Sequence, residues 1–137
     1  MNRFDFQRLA KIRIKEAEAL LEKGHYDGAY YLAGYAVECA LKACIAKQTR
    51  QYDFPDKAQA LESYTHDLAK LVRAAKLESE LEEKIAADSN FAVYWRRVQV
   101  WSEAARYKIT TPEHAQNLYN AITDRENGVS LWLQKFW

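Results

Sequence analysis

In the stretch Trp101 to His114, WSEAARYKITTPEH, an arginine and a histidine fall at two helix ends: Arg106 closes one predicted helix and His114 opens the next. A guanidinium can stabilise charge on a phosphate and an imidazole can move a proton. Arg106 and His114 are therefore the candidate catalytic pair. Each also has a plain structural reading. An arginine at a helix C-terminus caps carbonyls, and a histidine in the first turn after Thr111-Pro112 serves as a hydrogen-bonding residue near an inner stripe.

A second set of polar residues sits where apolar ones belong. At 100° per residue, Arg13 falls in the middle of the first helix's apolar stripe, and Arg125 falls in line with Leu118, Ile122 and Val129. Glu38 interrupts an otherwise apolar helix, and Tyr31, Tyr35, Glu38 and Lys42 share one of its faces. Burying an unpaired charge costs several kcal/mol, so these groups must pair, reach solvent, or line a cavity or subunit interface. The expected arrangement is a polar cluster of Glu38 and Arg106, joined by Arg13 or Arg125, acting as a structural bracket or as the wall of an anion-binding pocket. The simpler alternative is an i,i+4 Glu38–Lys42 surface pair with tyrosines alongside. Arg96 and Arg97 beside Tyr94, Trp95 and Trp101 would also suit a nucleotide, although core tryptophans with solvated arginines give the same pattern.

The elements that must position these groups are all helical. The chain has four glycines and two prolines, no alternating strand pattern and no Asn-Gly or Asp-Gly hairpin. A first helix is predicted from about Phe6 to Lys23, with Phe6, Leu9, Ala10, Ala17, Leu20 and Leu21 on one face, stopped by Gly24. A second runs from about Tyr26 to Lys47. Ala29, Ala33, Ala36, Ala40 and Cys44 form a small-residue stripe on it, and Leu32, Val37, Leu41 and Ile45 fill other directions, the mark of a central helix.

Thr49 to Ser63 reads as a loop around Pro55, with a helical turn at Lys57 to Leu61. Thr65 is the expected N-cap of a third helix, His66 to Ala75. A fourth element spans about Ser79 to Arg106 with a break signal at Asp88-Ser89-Asn90. The last helix, capped by Thr111 with Pro112 at its first position, runs to about Lys135. The resulting fold class is all-α: one domain over residues 1–137, an up-and-down antiparallel bundle of about five helices.

At 137 residues the chain can bury roughly two-thirds of its unfolded surface without disulfides or metals. Twenty basic and nineteen acidic residues nearly cancel, so any polyanion site must be local. Cys39 and Cys44 point about 140° apart on one helix and read as buried apolar residues of a reducing compartment. The N-terminal segment has no uninterrupted apolar run of the signal-peptide kind, and the most apolar stretch, Tyr26 to Lys47, is broken by Asp27, Glu38 and Lys42. A soluble cytoplasmic protein without membrane association is expected. His25 and His66 read as positional residues rather than ligands. No metal-ligand spacing is present and no cofactor is implied.

The string GHYDGAYYLAGYAVECALKACI resembles the second helix of HEPN domains (higher eukaryotes and prokaryotes nucleotide-binding), in which an Ala-rich helix carries an embedded Glu and Lys, here Glu38 and Lys42. THDLAKL, WSEAARY and the tryptophan-bearing last helix fit the same family in order, so the likeness spans nearly the whole chain. The resemblance implies a helical bundle that dimerises and, in many members, a metal-independent ribonuclease built on an arginine and a downstream histidine at a dimer cleft. Here the gap of seven residues between Arg106 and His114 is longer than the family's nuclease spacing, and Tyr107 stands where nucleases commonly place a polar residue. In both features the chain resembles the non-nucleolytic branch. Three readings follow. The first is a nucleotide- or RNA-binding module, acting as a homodimer or with a nucleotidyltransferase partner. The second is a toxin-like endoribonuclease of toxin–antitoxin type using Arg106 and His114. The third is a non-catalytic interaction domain. Trp137 and Tyr31/Tyr35 are the expected apolar surface for a dimer interface.

Overall fold

The computed structural model describes residues 1–49 and 63–137, and the described residues are helical and free of strands. The turn expected at Lys57 to Leu61 lies outside them. The elements are α1 (Arg3–Glu22), α2 (Tyr26–Gln48), α3 (Leu68–Ala74), α4 (Glu78–Ala87), α5 (Ser89–Gln99), a 3-10 helix (Glu103–Tyr107), α6 (Pro112–Thr123) and α7 (Val129–Leu133). The class is all-α, as the residue pattern indicates.

α1 starts three residues earlier than the apolar pattern suggests, because Asn2 and Asp5 form a reciprocal capping box. It ends in a left-handed Gly24, φ 78°, where the amides of Gly24 and His25 donate to the carbonyls of Leu21 and Leu20. That pair of bonds is the Schellman arrangement, and it reverses the chain so that α2 packs along α1. α2 is the central rod, touching α1, α3, α6, α7 and the 3-10 helix. Its alanine stripe allows close approach, while Leu41 and Val37 are fully enclosed, each burial contributing about 1.5–3 kcal/mol.

Two long elements expected from the sequence are broken, and the breaks are tied to each other. The element expected over Ser79 to Arg106 divides into α4, α5 and the 3-10 helix. Asp88, extended at φ −137°, both ends α4 and caps α5 by accepting the Phe91 amide at 2.9 Å. The last helix stops at Thr123 because Asp124 accepts the amides of Glu126 and Asn127, each at 2.9 Å, and turns the chain into α7. Asn127 Nδ2 then donates to Asp88 Oδ2 at 2.6 Å, and the Tyr94 hydroxyl donates to Asp124 Oδ2 at 3.0 Å. In α3 the cap is Asp67 rather than Thr65, whose hydroxyl instead accepts the Asp67 amide.

Gly34 marks the tightest packing in the bundle. A Cβ there would lie 2.2 Å from the indole of Trp101, which is buried against the bare backbone of α2. Gly34→Ala should therefore destabilise the protein by about 1–3 kcal/mol through overpacking, read as a lowered Tm with a changed Trp101 environment in the emission spectrum. An unchanged Tm would contradict this packing.

The Phe91 amide and the Asn127 side chain stabilise the Asp88 carboxylate, lowering its pKa to about 2 from the model-compound 3.8. A depressed carboxylate contributes stability that is present above its unfolded pKa and lost as pH falls toward the folded one. Acid should thus loosen the α4–α5 junction between about pH 4 and about pH 2, and Asp88→Asn should flatten that part of the acid-unfolding profile. A parallel profile in the variant would remove Asp88 from the acid response.

Candidate functional site

Glu38 lies at mid-length on α2, where every direction meets another element, and it is 1% exposed. Its Oε1 lies 2.7 Å from His66 Nδ1, and its Oε2 lies 3.7 Å from Lys42 Nζ. His66 Nε2 in turn lies 3.4 Å from Glu103 Oε2 on the 3-10 helix. The imidazole therefore bridges a buried carboxylate and a half-exposed one, linking α2, the entry to α3 and the 3-10 helix. His66 and Glu103 line a cavity of about 390 Å³ together with Thr65, Trp101 and Ser102.

Arg106 is exposed and is not among the ionic partners of Glu38, which in the described residues are Lys42 and His66. The expected Glu38–Arg106 pair is thus replaced by Glu38–His66. The reason is the 3-10 geometry of Glu103–Tyr107: it buries Ala105, presents Glu103 to His66 and turns Arg106 toward α2's tyrosines. The guanidinium lies 5.0 Å from the Tyr107 ring centroid and close enough to Tyr31 to interact with its phenol. The phenols of Tyr107 first and Tyr31 next hold its pKa above the ordinary value, so its charge is permanent.

Tyr31 stacks on Trp101 at 6.1 Å and meets Tyr35 at the same separation. Arg13 Cζ lies 5.8 Å from the Tyr35 ring centroid, and Arg13 pairs with Glu16 at 2.5 Å rather than with Glu38. Burial first, then the neighbouring Cys39 and Glu38, raise the Tyr35 pKa, so its phenol stays neutral. Arg13, Tyr35, Tyr31 and Arg106 form a line across α1, α2 and the 3-10 helix, two phenols flanked by guanidinium groups, with Glu38 and Lys42 about one and two turns further along α2.

His114 turns elsewhere. Thr111 caps α6 by accepting the His114 amide at 3.1 Å, and the imidazole faces a cavity of about 260 Å³ with Tyr30, Arg97 and Asn117. Arg106 and His114 are thus directed to different neighbours. Arg125 is exposed in the Asp124–Gly128 turn without a carboxylate partner among the described residues, since α6 ends before the register that would have aligned it with Ile122. Trp95 and Trp101 are core residues, while Arg96 is exposed and Arg97 lies over the Tyr94 ring. The thiols of Cys39 and Cys44 are pushed up to about 11 and about 12 by burial, which keeps them protonated and unreactive. Among the described residues, no group of three or more His, Cys, Asp or Glu is placed to hold a metal ion. No described helix is long and apolar enough to cross a membrane.

The role of His66 escaped the sequence pattern because twenty-eight residues separate it from Glu38, and no local period links them. The available hint was the single acid in an apolar helix, which demanded a cation from somewhere. Glu38→Ala should cost about 3 kcal/mol, toward the lower end for a broken buried pair because both Lys42 and His66 can reach solvent. In a double-mutant cycle with His66→Ala the two losses should be non-additive by more than about 0.5 kcal/mol. Additive losses would show that the 2.7 Å contact carries no coupling.

The HEPN domain family model matches residues 5–127, which takes in α1 through the α6–α7 turn and every residue of the Arg13–Arg106 line. No curated protein and no solved structure matches the chain. With nearly the whole chain covered by that match, the protein belongs to the HEPN domain family.

Proposed function

We propose that this HEPN domain is a nucleotide- or RNA-binding module that holds its ligand without cleaving it. The observation that supports it is the line Arg13, Tyr35, Tyr31, Arg106. Guanidinium groups at both ends suit phosphates, and two half-exposed phenol rings between them suit a base. The chain's near-zero net charge gives no general attraction for polyanions, so binding must come from this local pattern.

Hydrolysis would require Arg106 and His114 on one reacting group, and within a protomer the two have separate surroundings, so cleavage would need a dimer that brings one copy's arginine to the other's histidine. Beside Arg106, Tyr107 and Ile109 are 80% and 95% exposed. That apolar surface suits a second copy of the chain, or a nucleotidyltransferase-type partner, next to the ligand face.

Titration with ATP and with a short single-stranded RNA, read by calorimetry, tests the reading. Arg106→Ala and Arg13→Ala should each weaken binding about tenfold, the loss of one charge-assisted contact, while His114→Ala leaves it unchanged. End-labelled RNA should stay intact on incubation with wild type. RNA cleavage abolished by Arg106→Ala would replace this reading with a ribonuclease, and the absence of binding to either ligand would leave an interaction domain.

A further inference from the structure

The alanine stripe of α2 leaves space as well as permitting close approach. Ala36 and Ala40 line, with Ala10 of α1, Ile122 and Leu133, a cavity of about 260 Å³. That is room for roughly nine water-sized groups, and the walls are mostly apolar, with Ser130 and Gln134 the polar side chains besides the lysines, so water would find few partners there. The mouth has the opposite character. Lys11 and Lys15, one turn apart on α1, stand over it beside Trp137. Lys11 Nζ lies 5.6 Å from the Trp137 ring centroid. Neither lysine has a carboxylate within 4.0 Å among the described residues.

We infer that this cavity binds a small amphipathic anion, an apolar chain of about eight carbons or an equivalent ring ending in a carboxylate. The chain would fill the alanine-walled interior, and the carboxylate would sit between two ammonium groups that otherwise lack a counter-charge. An aliphatic cation would meet the same walls but a repulsive mouth, and a neutral alcohol would gain only the burial. The cavity shares no lining residue with the Arg13–Arg106 line, so it is a separate site and does not depend on the function proposed above.

Calorimetric titration of the full chain with octanoate, octanol and octylammonium, three ligands of one tail, tests the inference. Octanoate should bind one to one and at least tenfold more tightly than octylammonium, with octanol between them. In the Lys11→Gln/Lys15→Gln variant, where both changes are at the surface, octanoate should fall to the affinity of octanol. Ala36→Leu, which fills the cavity, should abolish binding of all three while circular dichroism and Tm report a folded bundle. If Ala36→Leu fails to fold, the lysine variant decides alone. Absence of saturable octanoate binding, equal affinity for octanoate and octylammonium, or undiminished binding in a folded Ala36→Leu variant would each overturn it. So would a dimer by sedimentation that Ala36→Leu dissociates while octanoate fails to bind, since a second copy of the chain would then occupy the space.

Discussion

A carboxylate carried to the middle of the most enclosed helix is the constraint around which this bundle is organised. Glu38 has no route to water, and an unpaired charge at that depth would offset a large part of a small domain's net stability. Its two polar contacts are unequal. Lys42 comes from the same helix and cannot restrain tertiary structure. His66 comes from the far side of a long connection, and its 2.7 Å contact fixes where the chain re-enters the bundle before α3. Through its second nitrogen the same ring meets Glu103, so the position of the 3-10 helix is coupled to the charge in the core.

The entry to the 3-10 helix is also held by a steric device. Only a residue without a Cβ at position 34 lets the Trp101 indole lie flat on α2, and Trp101 in turn forms the surface on which Tyr31 stacks. Arg106, five residues further along the chain, comes close to Tyr31 of that stack. The polar contact at Glu38 and the apolar one at Gly34 therefore both constrain the start of the same short segment. The Arg13–Tyr35–Tyr31–Arg106 line is their joint product.

Small side chains serve two purposes along α2. Where they face Trp101 they admit a large partner and leave no room, as at Gly34. Where they face α1 at Ala10 they meet another small residue, and the facing alanines leave a void that nothing in the chain fills. The same compositional feature therefore yields a very close packing contact in one place and a cavity in another, and the difference lies in what stands opposite.

The helical class, the central rank of α2, the Gly24 stop and the Thr111-Pro112 start were legible in the residues, because each rests on local chemistry: periodicity, a missing Cβ, a hydroxyl that accepts an amide. The oddness of Glu38 was legible for the same reason, since a lone acid in an apolar helix breaks a local pattern. Its partner was not. Arg106 and His66 were both chemically able to hydrogen-bond to it, and the choice depended on the 3-10 turn that brings Arg106 near Tyr31, a consequence of Trp101 meeting Gly34 sixty-seven positions away. The splitting of the two longest elements was likewise undecided by local propensity. Asp88 and Asp124 can each sit within or end a helix, and what ends the helices here is that the two turns hydrogen-bond to each other through Asn127 and Tyr94. Local sequence settled which segments are helical and where charge is misplaced. Only contacts between distant segments settled which charges meet, because pairing energy depends on distance in space and not along the chain.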